Sequence, residues 1–179
     1  MLRNRLLLIA ALALGVAAPS YAGSNESVYT SLSRPACKLL QVQAEGANSV
    51  QRCPGPAGFH LLVLDSDSRE SVTVVSPEGN KSPLNFWHVI TRSFSSLGPK
   101  AEWRVAGSGR QARPVALIIR VEANEDPNSA KPTSYLVVSK ITGGQVCAVS
   151  KIKSSAKANE EARAEADAAA EKPCLQPLD

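Results

Sequence analysis

Short apolar runs separated by turn residues dominate the middle of the chain. Several of these runs alternate polar with apolar positions or are rich in β-branched side chains, as half-buried strands are. Clusters of proline, glycine and aspartate lie between them, for example at 54–58 and 65–68, and favour turns. Residues 85–94 have no clean period, so helix and strand both stay open there. The predicted strands are residues 38–43, 59–64, 72–75, 102–105, 115–121, 135–138 and 146–149.

The pattern changes near residue 154. Residues 154–171 are rich in Ala, Glu, Lys and Arg and contain no glycine, proline or β-branched residue, which is typical of an α-helix. Ser154 or Ser155 can cap this helix, and Pro173 ends it. Strands first and a helix last predict an α+β class, with a mainly antiparallel β-sheet or small open barrel and the C-terminal helix packed on it. One face of this helix is lined by alanines, which permit close approach to a sheet: Ala158, Ala162, Ala166 and Ala169.

The first 22 residues have the pattern of a secretory signal peptide. Arg3 and Arg5 precede an apolar run of about 13 residues, and small residues flank a cleavage site after Ala22. This run is shorter than the roughly 20 residues of a membrane-spanning helix. We therefore expect a periplasmic or secreted protein with no membrane span after cleavage.

The remaining chain has a length suited to one domain. We expect residues 23–36, which are mostly polar, to form a flexible N-terminal segment. Residues 37–179 should form a single disulfide-stabilised, β-rich domain whose C-terminal helix covers about 154–171. The formal net charge is +4, and two arginines leave with the signal peptide. Basic and acidic residues are interspersed, so we expect no nucleic-acid partner.

Four cysteines lie in the mature part, at Cys37, Cys53, Cys147 and Cys174. An even number in an exported chain favours disulfides. Three pairings are possible, and the spacing favours Cys37–Cys53 with Cys147–Cys174, which would fasten the helix to the last strand. A zinc site would need C-x-x-C pairs or clustered histidines, and the sequence has neither. We expect no metal and no cofactor.

Arginines are the strongest candidates for ligand binding. Arg69, Arg104 and Arg120 each lie on or beside a predicted strand, and Arg120 interrupts an otherwise apolar one. A buried guanidinium needs a partner, because an unpaired charge in a low dielectric is costly. Glu102 and Asp65 are available inside the chain, whereas a carboxylate or sugar ligand is the functional alternative.

Other candidate chemistry is sparse. His60 and His88 are the two histidines, and neither is flanked by a nucleophile motif such as G-x-S-x-G. Trp87 and Trp103 are either core residues or a carbohydrate or protein-contact patch. We keep Trp103 with the three arginines as a candidate ligand-binding residue, and we assign no catalytic residue.

Several short motifs carry a resemblance to a known group of proteins. The runs "YTSLS", "CPGPAG", "AEWR", "RPVALIIR", "YLVVSKI", "VCAV" and "ANEEARAEAD" resemble a family of small, uncharacterised secreted bacterial proteins of proteobacterial type. The resemblance implies an exported small domain. The family has a histidine after the third cysteine and an aspartate before the helix, where this chain has Ala148 and Lys153.

These features predict an exported, non-catalytic binding or inhibitor-like protein of the bacterial cell envelope. Its partner would be a protein or another envelope ligand, bound by exposed loops at 107–113 and 122–132. Two alternatives stay open. One is a small periplasmic hydrolase that uses acids such as Asp65 or Glu102, recognisable by a pocket in which two carboxylates converge and one pKa is raised. The other is a structural envelope component.

Overall fold

The computed structural model describes residues 25–42 and 48–179; the predicted signal peptide, residues 1–22, lies outside the described residues. No helix in the described ranges is long and apolar enough to cross a lipid bilayer. The elements are β1 (Glu26–Ser31), β2 (Lys38–Val42), β3 (Asn48–Pro54), β4 (His60–Ser66), β5 (Arg69–Val75), β6 (Lys81–Pro83), α1 (Phe86–Val89), β7 (Ser95–Ala106), β8 (Arg113–Ala123), β9 (Thr133–Ile141), β10 (Val146–Lys153) and α2 (Ala158–Asp167), with short 3₁₀ helices at Gly109–Gln111 and Ala169–Glu171.

The strands form one open mixed sheet, in the order β10-β9-β8-β7-β5-β4-β3-β2, with β1 paired to β7 and β6 paired to β5. Every pairing is antiparallel except that of β5 with β7, which consists of one parallel pair, Arg69 opposite Ser95. This narrow seam divides the sheet into a hairpin half (β2 to β6) and a long-strand half (β1 and β7 to β10). The predicted α+β class, a mainly antiparallel sheet with a C-terminal helix packed on it, is confirmed.

The two halves share a core because side chains alternate between the faces of each strand. In β8, Leu117 and Ile119 face the hairpin half, whereas Ala116 and Ile118 face α2. This is why residues 115–121 are apolar on both faces apart from Arg120: β8 lies between β7 and β9 and is covered on both sides. The fully buried large side chains of the shared core include Leu61, Val72, Val74, Phe86, Trp103, Leu117 and Ile119.

Helix α2 lies on the outer face of the long-strand half. It begins at Ala158, four residues after the predicted start, because the Ser154 N–H still bonds to the Ser134 carbonyl at 2.8 Å and continues the β10 ladder. The helix ends at Asp167 and a 3₁₀ turn follows. The predicted alanine face, Ala158, Ala162, Ala166 and Ala169, is buried against the sheet.

The N-terminal segment differs from the expectation of a flexible stretch over residues 23–36. Residues 26–31 form β1, which pairs antiparallel with β7 from Glu26 opposite Val105 to Ser31 opposite Lys100. Val28 packs against the shared core, and the polar side chains on the other face are bound by charged groups of the sheet and helix. The polar side chains of β1 therefore have hydrogen-bond partners within the fold.

Two disulfides close the fold, and both follow the pairing that the spacing favoured. Cys37–Cys53 links the start of β2 to β3, with an S–S distance of 2.03 Å. Cys147–Cys174 links β10 to the segment after α2, with an S–S distance of 2.09 Å. In that segment the Leu175 N–H donates to the Ala148 carbonyl at 2.8 Å.

Candidate functional site

Trp103 and Arg104 are neighbours on β7 and therefore point to opposite faces of the sheet. Trp103 is fully buried in the shared core, where its indole N–H donates to the Thr30 hydroxyl at 2.9 Å and its ring packs against Phe59. Trp103, one of the four predicted ligand-binding residues, is thus a core residue, and its side chain is not accessible to a ligand.

Arg104 faces α2 and makes an ion pair with Asp167. Its Nε and Nη2 atoms donate to the two carboxylate oxygens of Asp167, each at 2.9 Å. Glu102, on the same face of β7, accepts from Arg163 Nε and from the Ser27 hydroxyl, both at 2.6 Å. The two predicted partners of a buried arginine were Glu102 and Asp65. The partner of Arg104 is instead an aspartate at the end of the helix.

Both acids of this helix–sheet network stay ionised at neutral pH. Burial raises the pKa of Glu102, but hydrogen bonds from Arg163 and Ser27 outweigh it and hold that pKa below its ordinary value. The pKa of Asp167 is likewise lowered, since hydrogen bonds from Arg104 and Asn25 overcome the effect of burial. Glu102 is therefore a charged ion-pair partner and has no proton to donate at neutral pH.

The other two arginines lie apart from this network. Arg120 donates to the Ser134 hydroxyl at 2.6 Å, and Ser134 in turn donates to Glu122 at 2.9 Å. Arg69 makes an exposed ion pair with Asp67 at 2.8 Å in the β4–β5 turn. The four predicted ligand-binding residues are thus distributed over the fold and do not converge on one site.

A pair of acids lies beside the seam. Asp65 on β4 and Glu70 on β5 are directly opposite each other, and with Glu122 they line a cavity of about 300 Å³. Burial raises the pKa of Glu70; a 2.6 Å hydrogen bond from the Leu97 N–H opposes this shift, and the charge of Asp65 adds to it. We call this the seam cavity. The sequence named Asp65 but missed Glu70, although a hairpin turning at 65–68 already places residue 70 opposite residue 65.

A larger cleft opens at the other end of β5, and we call it the end cleft. It has a volume of about 600 Å³, and its apolar lining includes Phe59, Val74 and Ile141. Arg113 and Glu78 are the charged residues of its lining. Within the described ranges Arg113 has no ion-pair or hydrogen-bond partner for its side chain. The loop at 107–113, which the sequence predicts to bind a partner, leads into this cleft.

Among the residues that the structure describes, no group of three or more His, Cys, Asp or Glu side chains could hold a metal ion. Both disulfides also remove the cysteines as nucleophiles.

Comparison with known proteins adds no assignment. No family model matches the chain. No curated protein matches it, and no solved structure does.

Proposed function

We propose that the protein is an exported, non-catalytic binding protein of the bacterial cell envelope, and that its ligand occupies the end cleft. The shape and lining of this cleft carry the proposal. A volume of about 600 Å³ falls in the range of about 300–1,000 Å³ that is usual for small-molecule sites. Apolar groups make up most of its exposed lining, and polar side chains such as Ser82, Arg113 and Gln145 can orient a ligand, as is usual for such sites.

Of the two charged residues of the lining, Glu78 already accepts a hydrogen bond from the Ser76 hydroxyl at 2.7 Å. The unpaired Arg113 therefore favours a ligand with an apolar body and an anionic group. The Arg113 guanidinium is exposed and has no carboxylate partner among the described residues. A guanidinium binds a carboxylate through two parallel N–H donors, which gives both affinity and orientation. The apolar part of the ligand would then contact Phe59, Val74 and Ile141.

Export is supported by three observations of different kinds. Residues 1–22 have the pattern of a signal peptide, and the chain resembles a family of secreted bacterial proteins. Both disulfides bridge cysteines of the predicted mature chain, and disulfides persist in the periplasm and outside the cell.

Binding of decanoate, measured by displacement of a fluorescent anilinonaphthalene sulfonate probe, tests the proposed site. Arg113→Gln should weaken decanoate binding about tenfold or more, because a charge-assisted hydrogen bond contributes about 1.5–3 kcal/mol. Binding of decanol should change little. Ala170→Trp, which places an indole at an exposed position of the cleft lining, should abolish binding of both.

Arg110→Gln is the matched control, since Arg110 is an exposed arginine of the same loop that does not line the cleft. If Arg110→Gln and Arg113→Gln weaken decanoate binding equally, or if Ala170→Trp leaves binding intact, the assignment of the end cleft is wrong.

A second candidate function, a small periplasmic hydrolase, is favoured by the seam cavity. Asp65 and Glu70 converge there, and the raised pKa of Glu70 is a property that a general acid needs. Under this alternative the protein releases soluble fragments from peptidoglycan, and both Asp65→Asn and Glu70→Gln abolish the release. Turnover that survives both substitutions would exclude these acids as the catalytic pair.

A further inference from the structure

Trp87 is held at the surface by its neighbour in the short helix α1. Phe86 is 1% exposed and lies in the shared core, and its backbone N–H donates to the Ser71 hydroxyl at 3.0 Å. Asn85, just before the helix, has a left-handed backbone with φ of 50°, a conformation that asparagine adopts more readily than most residues. The Trp87 backbone is thereby fixed on a core anchor, and its side chain stays partly exposed.

Two hollows adjoin the Trp87 side chain. One, of about 230 Å³, is also lined by Gln41, Val50 and Asp65. The other, of about 200 Å³, is formed with Ser66, Asp67 and Arg69. Trp87 and Ser66 line both hollows, and each hollow offers hydrogen-bonding groups beside an aromatic residue. We call this surface the tryptophan face.

Two residues of the tryptophan face, Asp65 and Arg69, each have a buried polar atom that lacks a hydrogen-bond partner within the described part of the chain. Arg69 Nε is buried and has no acceptor, although Nη2 of the same guanidinium is held by Asp67 at 2.8 Å. Asp65 Oδ1 is buried and has no donor. A buried polar atom without a partner destabilises the folded state, because it has lost its hydrogen bonds to water and gained none in return. A ligand that supplies one acceptor and one donor would remove both penalties.

The mixture of groups restricts the chemistry of that ligand. Two carboxylates, Asp65 and Asp67, disfavour an anion, and the guanidinium of Arg69 disfavours a cation. Hydroxyl groups both donate and accept hydrogen bonds, so a neutral polyol can satisfy Arg69 and Asp65 alike. The C–H face of a sugar ring is apolar and matches the flat face of an indole, which presents an apolar body with a polar edge.

We propose that the tryptophan face binds a neutral carbohydrate, with one sugar ring stacked on Trp87 and its hydroxyls bound by Arg69 and Asp65. This inference goes beyond the proposed function, since the tryptophan face and the end cleft share no lining residue. In the cell envelope, such a site would hold the protein on a glycan while the end cleft stays open.

The chain contains two tryptophans, which makes intrinsic fluorescence a direct assay. Trp103 is fully buried, so a saturable change in emission and protection from acrylamide quenching report on Trp87. The probes are chitotriose and maltotriose, two neutral oligosaccharides, titrated to millimolar concentration. We expect at least one of them to give a saturable change, which Trp87→Phe removes from the emission spectrum.

Calorimetric titration of the same sugars separates stacking from hydrogen bonding. Trp87→Ala should abolish binding, Trp87→Phe should weaken it by a smaller factor, and Arg69→Gln should weaken it about tenfold or more. Arg110→Gln, an exposed arginine away from the face, is the matched control and should bind as the parent does. Circular dichroism of each variant shows whether the fold is retained.

Three results would overturn the proposal: neither sugar binds, binding survives both Trp87→Ala and Arg69→Gln in folded protein, or Ala170→Trp in the end cleft removes sugar binding. The proposal for the end cleft and the proposal for the tryptophan face can be tested independently of each other. Decanoate binding should persist in Trp87→Ala, and sugar binding should persist in Arg113→Gln.

Discussion

Replacing Cys147 and Cys174 with alanine removes the covalent link between β10 and the segment that follows α2. The bridge spans a sequence separation of 27, and the loop-entropy relation gives about 3.5 kcal/mol at 25 °C for a closed loop of that length. The backbone bonds that hold the same segment are few: the Leu175 N–H donates to Ala148 and the Leu178 N–H donates to His88, both at 2.8 Å. The disulfide should therefore be the main anchor of this segment.

Urea unfolding of the double variant should show a free energy of unfolding lowered by about 3–4 kcal/mol, with a larger m-value because the unfolded chain is no longer cross-linked. Amide hydrogen exchange at Leu175 and Leu178 should rise in the folded state. The matched control replaces Cys37 and Cys53, whose separation is 16. It should lower stability by about 3 kcal/mol and leave the exchange of these two amides unchanged.

Two outcomes would refute this reasoning. A stability loss below about 1 kcal/mol would mean that the bridge does not constrain the unfolded chain as the loop-entropy relation requires. Unchanged exchange at Leu175 and Leu178 would mean that noncovalent contacts suffice to hold the segment.

The remaining predictions concern the core and two acids. Leu61→Ala removes a fully buried side chain and should cost about 2–5 kcal/mol in urea unfolding; a cost below about 1 kcal/mol would contradict the packing described. Asp167 has a lowered pKa, so its stabilisation is present above its unfolded pKa and is lost as pH falls through the folded pKa. Thermal melting of Asp167→Asn should show lower stability at neutral pH and a weaker decline in acid, whereas a profile parallel to the parent's would exclude this role. Glu70 has a raised pKa, so its contribution is full at low pH and falls as pH rises through the folded pKa. Glu70→Gln should therefore gain melting temperature relative to the parent as pH rises to neutral, and a difference independent of pH would contradict the shift.

Local patterns in the sequence predict most of the sheet, because alternation and turn residues act over a few positions. The two-sided apolar run in β8 identifies a covered central strand in this way. Strand β1 cannot be predicted from local patterns. Ser27 and Tyr29 are polar, and their partners Glu102 and Arg163 lie 75 and 134 positions away along the chain. A segment whose polar groups are bound by such distant residues has the local composition of a loop.

The same limit applies to the candidate sites. A buried arginine requires a partner, and the sequence predicts that requirement for Arg104, but it does not identify Asp167, which is 63 positions away. The two tryptophans also have opposite environments: Trp103 is in the core and Trp87 is at the surface. Composition treats them alike, and their positions in the fold separate them: Trp103 is on the core-facing side of β7, and Trp87 follows the buried Phe86 in α1.

The alanine face of α2 has a consequence for how the helix finds its position. Because Ala158, Ala162 and Ala166 recur every four residues, sliding the helix by one turn, about 5.4 Å, would present nearly the same surface to the sheet. The two ion pairs remove this ambiguity, since the helix contributes one cation and one anion to them, Arg163 and Asp167, and β7 contributes Glu102 and Arg104. A slide in one direction brings Arg163 to Arg104, and a slide in the other brings Asp167 to Glu102. Like charges would meet in both cases and repel each other. The order of charges along the helix and along β7 therefore favours one alignment over the two shifted ones.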